Sequence, residues 1–530
     1  MAQQLYLKPN VVVEPLVDRW YAWAHLIPPA TAARNITERH LRIMESYLSA
    51  PESHAAAVRD PKMAGGPFMD FQGEDRSADV RLLCDKTAKE RTELLMLSKA
   101  ISDLDAMLAS QAAGYCLHEL YAQIPEPLQG YVELVYDLNN HPSFRLLEPL
   151  LFKSRFYEDS MQSLVLSTIT GDDRPFVLST PRFNNGHTVE LQLPFKSAAI
   201  DQLFQMKTKP ASFDSVKEAV GLADKDDALF KSFLSEAPAK KYEKYEGEGV
   251  RWRYFGHACI LVETRGMSIL LDPVLSYTYD SQISRYTYED LPEKIDFALI
   301  THNHQDHILF ETLLQLRHKI GAVVVPRNGG GALQDPSLKL TLKSCGFNNV
   351  IELAEMDELS FPQGSITAIP FLGEHADLNV LTKTAYLLRM KNHSLFFGAD
   401  SCNISPKLYE HVHKEIGNVD VLFLGMECDG APLSWIYGPL LTHRLDRKMD
   451  QSRRLAGSNF MRALAMVEQF RCKEVYVYAM GQEPWLNYVM SLKYTEQSNP
   501  IIQSNKLIAT CHERGIVAER LFGEKEILLP

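Results

Sequence analysis

The sequence predicts a two-domain chain: an α+β N-terminal half, followed by a sandwich of β-sheets with helices on its outer faces. Three observations predict it. The 530 residues exceed the roughly 250 to 300 that one hydrophobic core spans. The stretch Ser235–Gly249, SEAPAKKYEKYEGEG, has too few apolar residues to bury and reads as an exposed linker, which puts the boundary near residue 245. On the two sides of it the apolar pattern differs, which divides the chain into 1–245 and 246–530.

In the first half, Ile36, Leu41, Met44 and Leu48 recur at helical spacing within Thr31–Ala50, and Leu94, Leu97, Ile101, Leu104 and Leu108 do so within Lys86–Leu108. Both segments are expected to be amphipathic helices. A third helix is expected over Pro127–Leu138, then short strands at Leu164–Ile169, Phe176–Ser179 and Val189–Leu193.

In the second half strands dominate. They are expected at Val250–Phe255, Cys259–Glu263, Ser268–Leu271, Phe297–Thr301, Ala322–Pro326, Ser365–Phe371, Thr384–Met390, Ser394–Gly398 and Val419–Leu424. Helical patterns intervene at Leu309–His318, Ser405–His413 and Asn459–Phe470, the alternation of a layered sheet-and-helix domain.

Composition narrows the function. A chain 45% hydrophobic and 23% charged is that of an ordinary globular enzyme. The net charge of −12 argues against a nucleic-acid binder, which needs a basic face. The eight cysteines show no CxxC spacing, and no apolar run approaches the roughly 18 residues of a membrane span. A reducing cytoplasm is the expected compartment, with no export signal and no membrane anchor.

The chemistry is concentrated at one strand end. Asp296–Thr301 is a buried-strand run that stops at His302-Asn303-His304-Gln305-Asp306-His307. Two histidines one residue apart in extended backbone point the same way and can chelate one ion; the Asp-His pair on the following turn can serve a second, about 3.5 to 4 Å away. An exposed polar loop would leave the strand-end placement unexplained.

This HxHxDH pattern resembles the leading motif of the metallo-β-lactamase superfamily, and Arg253–Val262 and Ile269–Pro273 resemble its opening strands. The resemblance implies an αββα sandwich with two metals between the sheets. It also places a third-motif ligand at Gly373-Glu374-His375 and a bridging aspartate at Asp400. A zinc hydrolase of this fold uses histidine at the third motif and again after a late strand. Here Glu374 stands beside His375, and the strand Val419–Leu424 runs into Gly425-Met426-Glu427. More carboxylate and less imidazole makes a harder site, better suited to iron.

From Leu5–Trp20 through the linker to the metal motif, the chain resembles the CmlA-type diiron β-hydroxylases of non-ribosomal peptide biosynthesis. That resemblance implies a non-haem diiron monooxygenase with metal ligands His302, His304, Asp306, His307, Glu374 and Asp400. It implies two iron ions, oxo- or carboxylate-bridged, with O₂ as co-substrate, acting on the β-carbon of an amino acid. The substrate would be held as a thioester on the phosphopantetheine arm of a non-ribosomal peptide synthetase carrier domain. Electrons would come from a reductase or ferredoxin, and the N-terminal domain would cover the entrance and mediate a homodimer. Nucleic acid and membrane are not expected partners.

Glu374 and Glu427 are the candidate catalytic residues, Glu427 as a ligand that shifts during turnover or a neighbouring base; a solvent-facing turn carboxylate is the alternative. Asp272, at the end of a strand, is placed to accept the ring N–H of a ligating histidine, or else caps a turn before Pro273. His257 reads as a histidine supporting the sheet. Asn328–Gly331 lacks the Lys-Ser/Thr of a phosphate-binding loop and reads as an ordinary one. The basic run Thr442–Arg454 is a candidate docking face for an acidic carrier, with a solvated face as the plain reading. The rival functions are a zinc-dependent hydrolase (lactonase or phosphodiesterase) and a non-catalytic scaffold. An aliphatic, leucine-like substrate side chain is the expectation, from the free use of Lys beside Arg.

Overall fold

The computed structural model describes residues 3–530. The C-terminal half is an αββα sandwich of two seven-stranded sheets. One sheet runs, in spatial order, Val350–Leu353, Ile320–Pro326, Ile295–Leu299, Met267–Leu271, Cys259–Thr264, Val250–Gly256 and Lys525–Leu529. The other runs Glu358–Phe361, Gly364–Ile369, Ala385–Met390, His393–Phe397, Val421–Gly425, Glu474–Tyr478 and Val517–Arg520. The final strand, Lys525–Leu529, crosses back to pair with Val250–Gly256 and closes an edge of the first sheet.

Period-2 alternation sorts the side chains. Trp252, Tyr254, Ile260, Val262, Ile269 and Leu271 meet Tyr386, Leu388, Phe397 and Phe423 in the core between the sheets. The alternate residues Leu387, Phe396, Leu422 and Val475 face outward onto helices Pro406–Ile416, Phe460–Phe470 and Asn499–Glu513. On the outer face of the first sheet, Cys259, Leu261, Leu270 and Val323 belong to one hydrophobic cluster with Val11, Trp23, Leu97, Leu104 and Phe204. The N-terminal half is thus docked as the outer layer of that sheet.

This half is mixed, with a four-stranded sheet around Val11–Val17 and Gln162–Thr168, and several helices. Three local expectations are corrected. The helix expected over Lys86–Leu108 is two, Ser77–Glu90 and Thr92–Ala109. They meet at Arg91 (φ −103°, ψ 31°), whose guanidinium is held by Asp18 and Glu158. In place of a helix over Pro127–Leu138 there is a hairpin, Val132–Tyr136 against Pro142–Leu146: Val132 and Leu134 are buried and Glu133 exposed, a period of two, and Asp137–His141 makes the turn. Phe176–Ser179 forms no strand, although Val177 and Leu178 are buried. No helix of the described residues is long and apolar enough to cross a membrane.

The two halves are clasped by a buried ion cluster. Arg174 places Nη1 3.1 Å and Nη2 2.8 Å from the two oxygens of Glu311, and Nη2 2.7 Å from Glu14. Tyr21 and Tyr277 donate to Glu311 at 2.8 and 2.6 Å. Glu311 lies on the helix Phe310–Leu316, which follows the metal motif directly, so the clasp also positions that motif.

Candidate metal centre

The candidate residues converge because parallel strands of both sheets end at one edge of the sandwich. His302–His307 follows Ile295–Leu299, Asp272 follows Met267–Leu271, Asp400 follows His393–Phe397, and Glu427 follows Val421–Gly425. Residues at the carboxyl ends of adjacent parallel strands reach a common crevice without distorting the ladders.

Three groups of ligand atoms result, each drawn within 4.8 Å: His302, His304 and Glu374; His302, His307 and Asp400; and His257, Asp306 and His307. Glu374 Oε1 stands 2.6 Å from His304 Nδ1, and Asp400 Oδ2 stands 3.1 Å from His307 Nε2. All of these residues are buried except Asp400, which is partly exposed. His375, the alternative to Glu374, belongs to none of the groups; its ring stacks on His304 with centroids 4.5 Å apart. Glu374 reaches inward through a left-handed backbone (φ 66°) within the turn Gly373–Asp377, a conformation that non-glycine residues rarely hold without surrounding support.

Each histidine of the motif is oriented by its far nitrogen. His302 Nδ1 lies 3.0 Å from Thr301 Oγ1, His304 Nε2 lies 3.0 Å from Tyr437 Oη, and His307 Nδ1 lies 2.8 Å from Asp272 Oδ2. Asp272 also accepts from the Thr301 backbone N–H at 2.7 Å and the Thr301 hydroxyl at 2.6 Å. The carboxylate expected to fix a ligand's ring therefore does so, and the ring is His307. We expect Asp272→Asn to weaken metal retention by about 10- to 100-fold, the usual cost of losing such a partner. Dialysis against a chelator followed by metal analysis checks this; unchanged retention would contradict it.

The structure also brings in His257, expected only to support the sheet: its Nε2 is 3.0 Å from Asp306 Oδ2 and 3.3 Å from His307 Nε2, so it joins a candidate ligand group. The signal was available: His257 ends a strand of the same sheet at the same edge, and its backbone (φ 50°) is tied to Ala479 N–H. Glu427 lies outside the ligand-atom groups. It accepts from Gly430 N–H and, at 3.4 Å, from the Tyr494 hydroxyl, and lines the same cavity as Glu374 and Asp400.

Electrostatics suits the residues to cations. Burial, with the neighbouring His307 and His304 rings, holds His302 well below the usual imidazole range, leaving it neutral with a free lone pair. Burial pushes Glu374 up to about 7, against the pull of His304. His307 moves upward although burial opposes it, because Asp400, Asp306 and Asp272 surround it. His302 Nε2, Glu374 Oε2 and Asp400 Oδ1 are buried without a hydrogen-bond partner. Buried polar atoms are normally satisfied, so these orphaned atoms, each in a candidate ligand group, fit metal ions as the missing partners.

The cavity over these residues, about 240 Å³, is walled by Trp435, Ile436, Leu455, Met490 and Leu492. His25, from the N-terminal half, packs against Tyr437 with ring centroids 5.8 Å apart, so that half backs the residue that orients His304.

Comparison with known proteins agrees with this geometry. Residues 6–238 match the family described as the diiron non-heme beta-hydroxylase N-terminal domain, and residues 267–432 match a beta-lactamase superfamily domain. The chain is 42% identical over 533 aligned residues, 99% of each chain, to the 4-amino-L-phenylalanyl-[CmlP-peptidyl-carrier-protein] 3-hydroxylase of Streptomyces venezuelae. The crystal structure of CmlA, a diiron beta-hydroxylase from Streptomyces venezuelae, superposes with a TM-score of 0.94 at 39% identity, covering 100% of both chains. A glutamate-to-aspartate mutant of CmlA gives 0.91 at 39% identity, covering 99% of this chain and 100% of that one. The chain therefore belongs to the family of non-haem diiron β-hydroxylases built on a metallo-β-lactamase fold.

Proposed function

We propose that this diiron hydroxylase acts on the β-carbon of an amino acid held as a thioester on a peptidyl carrier domain. The observation that carries the reading is the likeness, over both halves of the chain, to an enzyme whose name specifies a carrier-bound aminoacyl substrate. In the proposed assignment His302, His304 and Glu374 would hold one iron and Asp306 and His307 the other, with Asp400 as a ligand available to both and His257 as a further donor. Two irons supply the means of reducing O₂ while carboxylates adjust to the changing charge.

In the overall reaction one oxygen atom enters the Cβ–H bond and the other leaves as water. This takes two electrons and two protons from outside, the electrons from a reductase or ferredoxin. The chain's own residues bind, orient and exclude water. Ile436, Leu455, Met490 and Leu492 favour an apolar, leucine-like side chain over the metals. Glu427, pushed by burial up to about 7, is placed to hold a proton at the cavity wall. Residues 1–245 serve as the cover of the entrance and as the dimer contact, and the cytoplasm is the working compartment.

The test is mass spectrometry after single turnover of the reduced enzyme with O₂. The carrier-bound amino acid is expected to gain one oxygen atom and the free amino acid none, because remote binding energy from the carrier positions Cβ. Comparable conversion of both would remove the carrier requirement.

A further inference from the structure

A second cavity, about 480 Å³, adjoins the one over the metal-site residues and is bounded by Arg39, Arg42, Ser46, Phe68, Phe176 and Trp435. The two share Gly65, Pro432 and Trp435 as a common wall. We propose that this second cavity is the port through which the carrier's phosphopantetheine arm reaches the metal cavity, with Trp435 and Gly65 as its inner constriction. The proposal rests on the carrier-bound substrate argued above.

The wall has the character of a latch. Trp435 Nε1 donates to Gly65 O at 2.8 Å, joining the N-terminal half to the catalytic half, and Phe176 stacks on the indole from the cavity side at 6.0 Å. A Cβ at Gly65 would come within 3.2 Å of Trp435 Nε1 and 3.3 Å of Ser491 Cβ, and the backbone there is left-handed (φ 73°), so the close approach requires glycine.

Charge points to the occupant. Arg39 donates through Nη2 to the backbone carbonyls of Trp435 and Ile436, and no carboxylate pairs with it among the described residues; Glu38, also on this wall, pairs with Arg42. The wall thus carries one more guanidinium than carboxylate, which favours an anion, and the arm carries one, its phosphodiester. The apolar sides, Phe68, Phe176 and Leu178, suit the arm's alkyl and amide stretch. Ser434, also on the wall, donates to Asp450 of the helix Arg447–Ser452 through its N–H and hydroxyl, both at 2.8 Å. Exposed Arg447 and Lys448, on that helix, are thereby tied to the wall of the port in a chain of net charge −12, which suits an acidic carrier. Arg453 and Arg454, the last of the basic run, are engaged with the carbonyls of Ala376, Asp429 and Gly430, and Arg454 lines the metal cavity instead.

The experiment uses the full-length, iron-loaded protein and two forms of the carrier domain: holo, with the arm but no amino acid, and apo, without it. Ser46 is exposed and lines the port, so Ser46→Trp narrows it without touching the core; Ser46→Ala controls for the lost 3.0 Å contact with His54. Wild type and Ser46→Ala are expected to bind holo more tightly than apo carrier by at least about 10-fold, the scale of one well-made contact set. Ser46→Trp is expected to bind both at the apo level, with iron content and iron absorption unchanged. A Ser46→Trp variant that keeps the holo preference overturns the port and leaves the proposed function standing. A wild type that does not distinguish holo from apo carrier overturns the carrier reading and the port together.

Discussion

Glu374→His is expected to lose hydroxylation by more than about 100-fold and to retain zinc in place of iron, a larger effect than removing a ring-orienting partner such as Asp272. The substitution would make an all-imidazole set of His302, His304 and residue 374, the pattern of a zinc hydrolase, and withdraw the carboxylate that makes the site hard. The fold should survive, because histidine is among the residues that tolerate the left-handed backbone at this position (φ 66°). Metal analysis of the purified variant, with mass spectrometry of its product, gives both readings. Unchanged iron loading and turnover would show that the Glu374 carboxylate does not set the metal.

Arg174→Met is expected to destabilise the protein by about 3 to 5 kcal/mol, because it leaves Glu311 buried without a cation and takes one of two from Glu14, which keeps Arg182. The stacking of Arg174 on Tyr488, with the guanidinium 3.6 Å from the ring centroid, is lost as well. The same cluster predicts a pH dependence. Burial alone would raise the Glu14 carboxyl, yet Arg182 and Arg174 outweigh it and hold it down at about 2, below its ordinary 4.5. Its folded value lies below its unfolded one, so its contribution is complete above about pH 4.5 and is lost as pH falls toward 2. Calorimetry should show a wild-type Tm that drops over that interval. The Arg174→Met Tm should be lower by several degrees at pH 7, with a smaller further loss on acidification. Equal Tm values at pH 7 would contradict the clasp.

How much of this was legible in the sequence depends on how locally each feature is encoded. The HxHxDH run declares itself because strand, turn and ligand types sit in twelve consecutive residues, Asp296–His307. The strands of the sandwich were legible because each is a short apolar run bounded by turns. Glu374 and Asp400 became candidates through resemblance, since a single carboxylate after a strand carries no signal of its own. His257 shows in the sequence only that it ends a strand; that Asp306 lies 3.0 Å away is set by the packing of two distant segments. In Val132–Tyr136 a five-residue run fits both periods, and the Asp137–His141 turn was the deciding cue. The Glu14–Arg174–Glu311 clasp and the port at Arg39 and Trp435 join residues hundreds of positions apart, which no local pattern reveals.

The central claim is that this buried set of imidazoles and carboxylates holds iron for oxygen chemistry. The most direct test is metal analysis of the purified protein together with its visible spectrum. The account predicts roughly two irons per chain, little zinc, and an absorption band of a bridged diferric centre that bleaches on two-electron reduction. A protein that carries zinc, lacks that band and hydrolyses an ester or phosphodiester would contradict it.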